Sequence, residues 1–203
     1  DIILSENWII NIFSSINKNN SIVGVTGNLE PFSDEKISNL DLYLFGKYRG
    51  TKVIDIDVPL NYKSFVFSNT IIKKSTLNEL GCFDETLCGY GGEDTELAIR
   101  IHKKYPSGMR KLTKITAYHM TRKTIETHLE HMFEYGNYNF PKIIKKHPDY
   151  KNDLGYKWVN SFKGNLLFNV FNRFFCKIFL SVFGHPLLIK FLVIDAFLRG
   201  AKN

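Results

Sequence analysis

Apolar positions along the chain fall into two periods, and their alternation predicts an α/β protein. From Glu6 to Ile16, the residues Trp8, Ile9, Ile12, Phe13 and Ile16 recur at helical spacing, with Ser5 placed as the N-cap. "SIVGVTGNLEP" is a β-branched run ending at Gly27 and Pro31, which reads as a buried strand followed by a loop. Between Asp34 and Val58 the pattern is weak, a variable connection with room for a helix in "ISNLDLYLFGKYRG". Ser64 to Ile72 alternates as a strand does, Lys73 to Leu80 suits a short helix, and Gly81 stands where a C-cap glycine belongs. The loop "CFDETLCGYGGED" leads into a helix over Thr95–Tyr105, which puts Leu97, Ala98, Ile101 and Tyr105 on one face and pairs Glu96 with Arg100 at i,i+4. "KLTKITAYHM" is a further strand ending at His119. "TIETHLEHMFEYGNYNFPKIIKKHPDY" reads as a helix broken near Gly136 and Pro141.

The tail has a different pattern. In "NLLFNVFNRFFCKIFLSVFGHP" the polar residues Asn165, Asn169, Arg173, Lys177, Ser181 and His185 fall every fourth position on an otherwise apolar helix. Such a ridge drifts by roughly 40° every four residues. Gly184, His185 and Pro186 break the run before "LLIKFLVIDAFLRG". Neither half reaches the roughly 20 uninterrupted apolar residues of a spanning helix, so both read as interfacial helices on a bilayer. A helical pair packed on the domain or on a second subunit is the alternative.

Charge sharpens that reading. From Asn160 to Asn203 there are six basic residues against the single acid Asp195, which accounts for five of the seven net positive charges of the chain. These charges sit among phenylalanines and leucines, which suits an anionic membrane surface and argues against nucleic acid, whose readers present a basic face on a polar module. The chain has 203 residues, 44% of them apolar, enough for one sizeable core and an appendage. Its three cysteines (Cys82, Cys88 and Cys176) have spacings that suit neither a disulfide framework nor a zinc site, so a reducing, cytoplasmic setting is expected. "DIILSENWIINIF" is no signal peptide and reads as the middle of something larger.

The stretch richest in chemistry is "GYGGEDTELAIR", Gly89 to Arg100. It delivers two adjacent carboxylates, Glu93 and Asp94, onto a helix start, where partial positive charge and unpaired N–H groups stabilise and orient them. The same residues also suit a plain turn and helix cap. The longer segment "FSNTIIKKSTLNELGCFDETLCGYGGEDTELAIRI" resembles the acceptor side of family 2 glycosyltransferases, with "GYGGEDTEL" its most specific block. "DIILSENWI" resembles the stretch that starts at the last Asp of that family's DxD motif, "VGVTGNLEP" the next strand, "YHM" a strand end with a metal-binding His, and "EYGNYNFPKIIKKHP" the closing helix.

The resemblance covers about residues 1–150 and implies part of a GT-A-like (Rossmann-like) domain, with residues 151–203 as a helical, membrane-interfacial appendage. It implies inverting, metal-dependent transfer of a sugar from a nucleotide-sugar donor to an acceptor hydroxyl, while the basic, aromatic tail is what suggests the inner face of the membrane and a carbohydrate or lipid-linked acceptor there. Asp94 would be the base. Glu93 would hold acceptor hydroxyls, and Gly91 and Gly92 would let backbone approach the sugar. Tyr90 would stack on a sugar face and Asn69 would offer a weaker polar contact. Asp1 and His119 would hold a divalent cation, Mn or Mg, although a frayed first residue and a structural strand-end His account for them equally well. The remaining histidines, His102, His128, His131, His147 and His185, read as surface or packing positions. The family's nucleotide-binding strands would precede residue 1, so the chain alone is expected to bind donor poorly. A non-catalytic carbohydrate-binding or assembly module is the rival reading.

Overall fold

The computed structural model describes residues 2–16, 21–32, 37–46, 48, 59–65, 67–120 and 123–203. In chain order the elements are β1 (Ile2–Leu4), α1 (Trp8–Ile16), β2 (Gly24–Pro31), α2 (Asn39–Leu44), β3 (Thr70–Ile72), α3 (Lys74–Leu80), α4 (Glu93–Lys104), β4 (Met109–His119), α5 (Ile125–Glu134), α6 (Phe140–Lys146), α7 (Phe162–Leu167), α8 (Val170–Phe183) and α9 (Pro186–Gly200). The class is α/β, as the alternating periods predict. The chain packs as two compact units: Asp1–Ile37, Gly50–Asp84 and Glu93–Arg122 form the first, and Ser38–Arg49, Glu85–Gly92 and Lys123–Asn203 the second.

In the first unit the strands form one sheet in the order β1-β4-β2-β3. β2 and β4 run parallel, while β1 and β3 pair antiparallel on either side. The sheet therefore assembles "IIL", "GVTGNLEP", "TII" and the strand that ends in "AYH". Its core is Ile12, Ile22, Val25, Leu112 and Ile115, with Trp8, Ile16 and Ile71 against it. β2 continues through Gly27 to Pro31, where the sequence pattern places a loop. The β2–β4 register shifts between Thr26 and Asn28, and a Cβ on Gly27 would run into Asn69 and the Ile115 carbonyl. The extra residues lie on β4, within 112–115, and Gly27 is the close-approach glycine of β2 opposite them.

Three local expectations are corrected here. Ser5 does not cap α1: its backbone N–H donates to the Thr116 carbonyl at 3.0 Å, extending the β1–β4 pairing, and the helix starts after Asn7, which takes a positive φ of 61°. Asn tolerates that conformation because its short side chain can bond locally. The strand expected over Ser64–Ile72 is confined to β3, and 3₁₀ turns at Tyr62–Ser64 and Phe67–Asn69 precede it. Asn61 caps the first of these, accepting from Lys63 N–H at 3.0 Å, so local side-chain bonding competes with the sheet. The stretch from Asp34 to Val58 falls largely outside the described residues. Its described part holds α2, which starts with a capping box between Ser38 and Asp41.

α3 ends as the sequence predicts, on Gly81 in the left-handed region at φ 82°. α4 starts two residues earlier than its periodicity indicates and buries Leu97, Ala98, Ile99 and Ile101. The Glu96–Arg100 pair is present at 2.7–3.0 Å, with Glu96 buried. Arg100 also donates to the carbonyls of Leu80 and Cys82, so one guanidinium ties α4 to the end of α3.

In the second unit Leu40, Tyr43, Ile189 and Val193 form a core that Ile125, Leu129, Met132 and Leu180 enclose. The helix expected to break near Gly136 and Pro141 instead runs on from α5 through a π turn, Tyr135–Asn139, into α6. Gly136 serves contact rather than breakage. A Cβ on it would strike the Phe197 carbonyl, and one on Gly200 would strike that of Phe133, so paired glycines let α9 approach α5 closely. Pro141 sits in the first turn of α6, immediately after the π turn.

The tail breaks at Gly184 (φ 60°), His185 as N-cap and Pro186 at the start of α9, as predicted. The preceding run, expected as a single helix, is split. Asn169 caps α8 by accepting from Asn172 N–H at 3.0 Å, which separates it from α7. Cys176 is buried, and that burial, with Asp195 as a second cause, pushes its thiol above the ordinary range. Among the described residues, no helix is long and apolar enough to cross a membrane.

Candidate functional site

The glycine loop is held, within the second unit, by α5 and the π turn that continues it. Gly89, Gly91 and Gly92 have φ of 82°, 75° and 99°, a conformation that only glycine adopts without strain. Tyr90 N–H donates to Glu134 Oε1 at 3.1 Å, and Asn139 Nδ2 donates to the Gly91 carbonyl at 2.7 Å. The Tyr90 ring stacks on His131 at 4.0 Å and 13°, with Lys123 Nζ 4.7 Å from its centroid. Farther back along the loop, Lys142 donates to the Thr86 carbonyl at 2.8 Å. A Cβ on Gly92 would lie 2.7 Å from Ile143 Cδ1 and 2.8 Å from Tyr135 Cε2. Gly92→Ala is therefore expected to destabilise the second unit by about 1–3 kcal/mol, from overpacking and positive φ together. Urea unfolding measures it, and an unchanged midpoint would show that the loop yields freely.

From Gly92 the chain enters α4, whose first turn carries Glu93, Asp94 and Glu96. Glu93 and Asp94 are half-buried, at the end of the helix that favours negative charge. The loop thus feeds two anions onto a helix N-terminus, with its own backbone tied down by side chains beyond the helix.

The other candidates lie on the sheet of the first unit. Asn69, 2% exposed, accepts from Trp8 Nε1 at 2.9 Å and donates to the Asn28 carbonyl at 2.6 Å, directly beside Gly27 and the β4 bulge opposite it. Its side chain joins α1 to the irregular part of β2. His119 ends β4 and stands opposite Ile2 of β1 and Pro31 of β2. Asp1, which precedes Ile2 in the chain, lies outside the described residues. Among the described residues, no three His, Cys, Asp or Glu side chains cluster as a metal site would require.

Sequence reasoning missed Glu134, Asn139, His131 and Lys123 as supports of the loop. Glu134 and Asn139 are five apart, which in an α-helix leaves them roughly 140° from each other. The intervening π turn changes that relation, and nothing in the helical period announces it.

Part of this α/β fold, including its clamped glycine loop and acidic helix start, matches a glycosyltransferase-type family model. The matching model is described as the N-terminal domain of galactosyltransferase, and it covers residues 49–131, less than half of the chain. That span includes β3, α3, the glycine loop, α4, β4 and the start of α5. Comparison with curated proteins gives no match. The match fits a partial GT-A-like fold and implies glycosyl transfer, with a sugar donor and an acceptor.

Proposed function

We propose that the protein is an inverting, family 2-type glycosyltransferase of glycan or polysaccharide biosynthesis, moving a sugar from a nucleotide-sugar donor to an acceptor hydroxyl. One observation carries this reading: Asp94 stands in the first turn of α4, immediately after a glycine loop clamped by Glu134 and Asn139. The acceptor oxygen forms its bond to the anomeric carbon as the bond to the diphosphate breaks. The acceptor's proton passes to Asp94, and the nucleoside diphosphate departs. A helix N-terminus favours the anionic form of a carboxylate, and the attacking hydroxyl becomes more acidic as its bond forms, so transfer late in the step suits this base.

Glu93 holds acceptor hydroxyls, and the positive-φ glycines at 91 and 92 bring backbone to the sugar without a Cβ between. His131 already stacks on the Tyr90 ring, which presets the ring's orientation for a sugar. Asn69 acts here by fixing the bulge beside its strand, with a direct sugar contact as its weaker role. Asp1 and His119 are the proposed ligands of a divalent cation, Mn or Mg, which neutralises charge on a departing diphosphate when bound. The pairing of Ile2 with His119 supports that choice, because it sets the residue following Asp1 opposite the imidazole's own position. A lipid-linked or other carbohydrate acceptor, met at the inner face of the membrane, fits the basic tail.

The test is a panel of nucleotide sugars incubated with the full-length protein and followed by release of nucleoside diphosphate. The description of the matched model makes a galactosyl donor the first to try. Turnover that EDTA removes and Mn or Mg restores is the expected result. Saturable sugar binding with no diphosphate release from any donor would favour a non-catalytic carbohydrate-binding module.

A further inference from the structure

We propose that the outward face of α8 docks on an anionic bilayer, with the helix lying in the membrane plane. The inference deepens the membrane attachment proposed above and rests on that reading, while standing apart from the sugar chemistry. Phe171, Phe174, Phe175, Ile178, Phe179 and Val182 are 42–73% exposed. At 100° per residue they fill an arc of about 140° that no polar side chain interrupts. Large apolar side chains left in water at this density mark a contact surface.

The rotation of α8 is fixed from its other side. Arg173 donates to Asp195 of α9 at 2.6 Å and 3.3 Å, and Arg199 donates to the same carboxylate at 3.2 Å. Cys176 faces inward as well and donates to the Leu188 carbonyl at 3.4 Å. Turning the phenylalanines inward would pull Arg173 off a carboxylate that is 1% exposed. The ion pair therefore holds the apolar arc outward.

Charge selects the occupant. Beyond Asn160 the single acid is Asp195, buried beneath its two arginines, whereas Lys163 and Lys177 are exposed. Two copies joined through α8 would bring like charges together, and an anionic lipid surface would neutralise them. At 14 residues, α8 spans about 21 Å, short of the roughly 30 Å hydrocarbon core, so it lies flat. A cavity of about 410 Å³ beside it is lined by Arg173, Lys177 and Arg199 together with Glu126, Glu130 and Asp195, so its charges balance and it adds no anion site of its own.

The experiment is flotation of the whole chain with phosphatidylcholine vesicles, with and without phosphatidylserine, at low and high salt. Binding to the anionic vesicles that weakens with salt is expected. Phe171→Glu combined with Phe175→Glu should reduce it by about 100-fold or more, since two buried phenylalanines are lost. Both positions are exposed, and circular dichroism checks that the variant stays folded. Failure to float with either vesicle, or undiminished flotation of the double variant, overturns the proposal. A dimer in sedimentation that the double variant abolishes assigns the face to a second copy and also overturns it. Transfer to a soluble acceptor, assayed separately, reports on the sugar site whatever the vesicles show.

Discussion

Asp94→Asn is expected to lower glycosyl transfer by about 10²–10⁴-fold, the range a positioned general base contributes. The substitution keeps the shape of the side chain and removes its capacity to take a proton. Asp94 is half-buried in the first turn of α4, so the fold should lose no more than about 1 kcal/mol of favourable interaction with the helix end. Initial rates and a urea titration of the same preparation separate the two effects. A fall in kcat with an unchanged unfolding midpoint supports the base assignment, and ordinary turnover in the variant removes Asp94 from the mechanism. Glu93→Gln supplies the contrast. A residue that holds acceptor should raise KM for acceptor more than it lowers kcat.

Asp195→Ala should cost about 3 kcal/mol of stability in the second unit, the low end of the range for breaking a buried ion pair. The carboxylate is 1% exposed and serves both Arg173 and Arg199, so its loss leaves two guanidinium groups facing each other without their counter-ion. The low end applies because Arg173 and Arg199 keep 25% and 41% of their side-chain surface in contact with water. Chemical denaturation measures the loss, and a change under 1 kcal/mol would show that helix packing alone holds α8 and α9 together. Asp195→Asn should cost less, since the amide keeps an acceptor for one arginine.

Particular residues show how far the sequence could be read. Gly81 and the Gly184-His185-Pro186 break were legible because caps depend on neighbours within a few residues, and those neighbours are adjacent in the chain. The core face of α4 was legible for the same reason, since Leu97, Ala98 and Ile101 repeat at helical spacing. Ser5 misled because an N-cap signal and a sheet-edge serine look alike until Thr116 is placed beside it. Gly136 misled in a similar way: in the chain it stands as a helix breaker, and in space it is the clearance for the Phe197 carbonyl.

For the candidate site the division is sharper. "GYGGED" was visible as a glycine loop feeding two acids onto a helix, because loop and helix start are contiguous. Its fixation was invisible. Glu134 reaches Tyr90 across 44 positions, Asn139 reaches Gly91 across 48, and a π turn sets their spacing. In the tail, the sequence determined that a polar ridge runs along an apolar helix, and the tertiary structure decided which side faces out. A helix shows its period to any reader of the chain, but its rotation is set by a partner 22 positions away, the buried carboxylate of Asp195 that Arg173 cannot leave without stranding a charge.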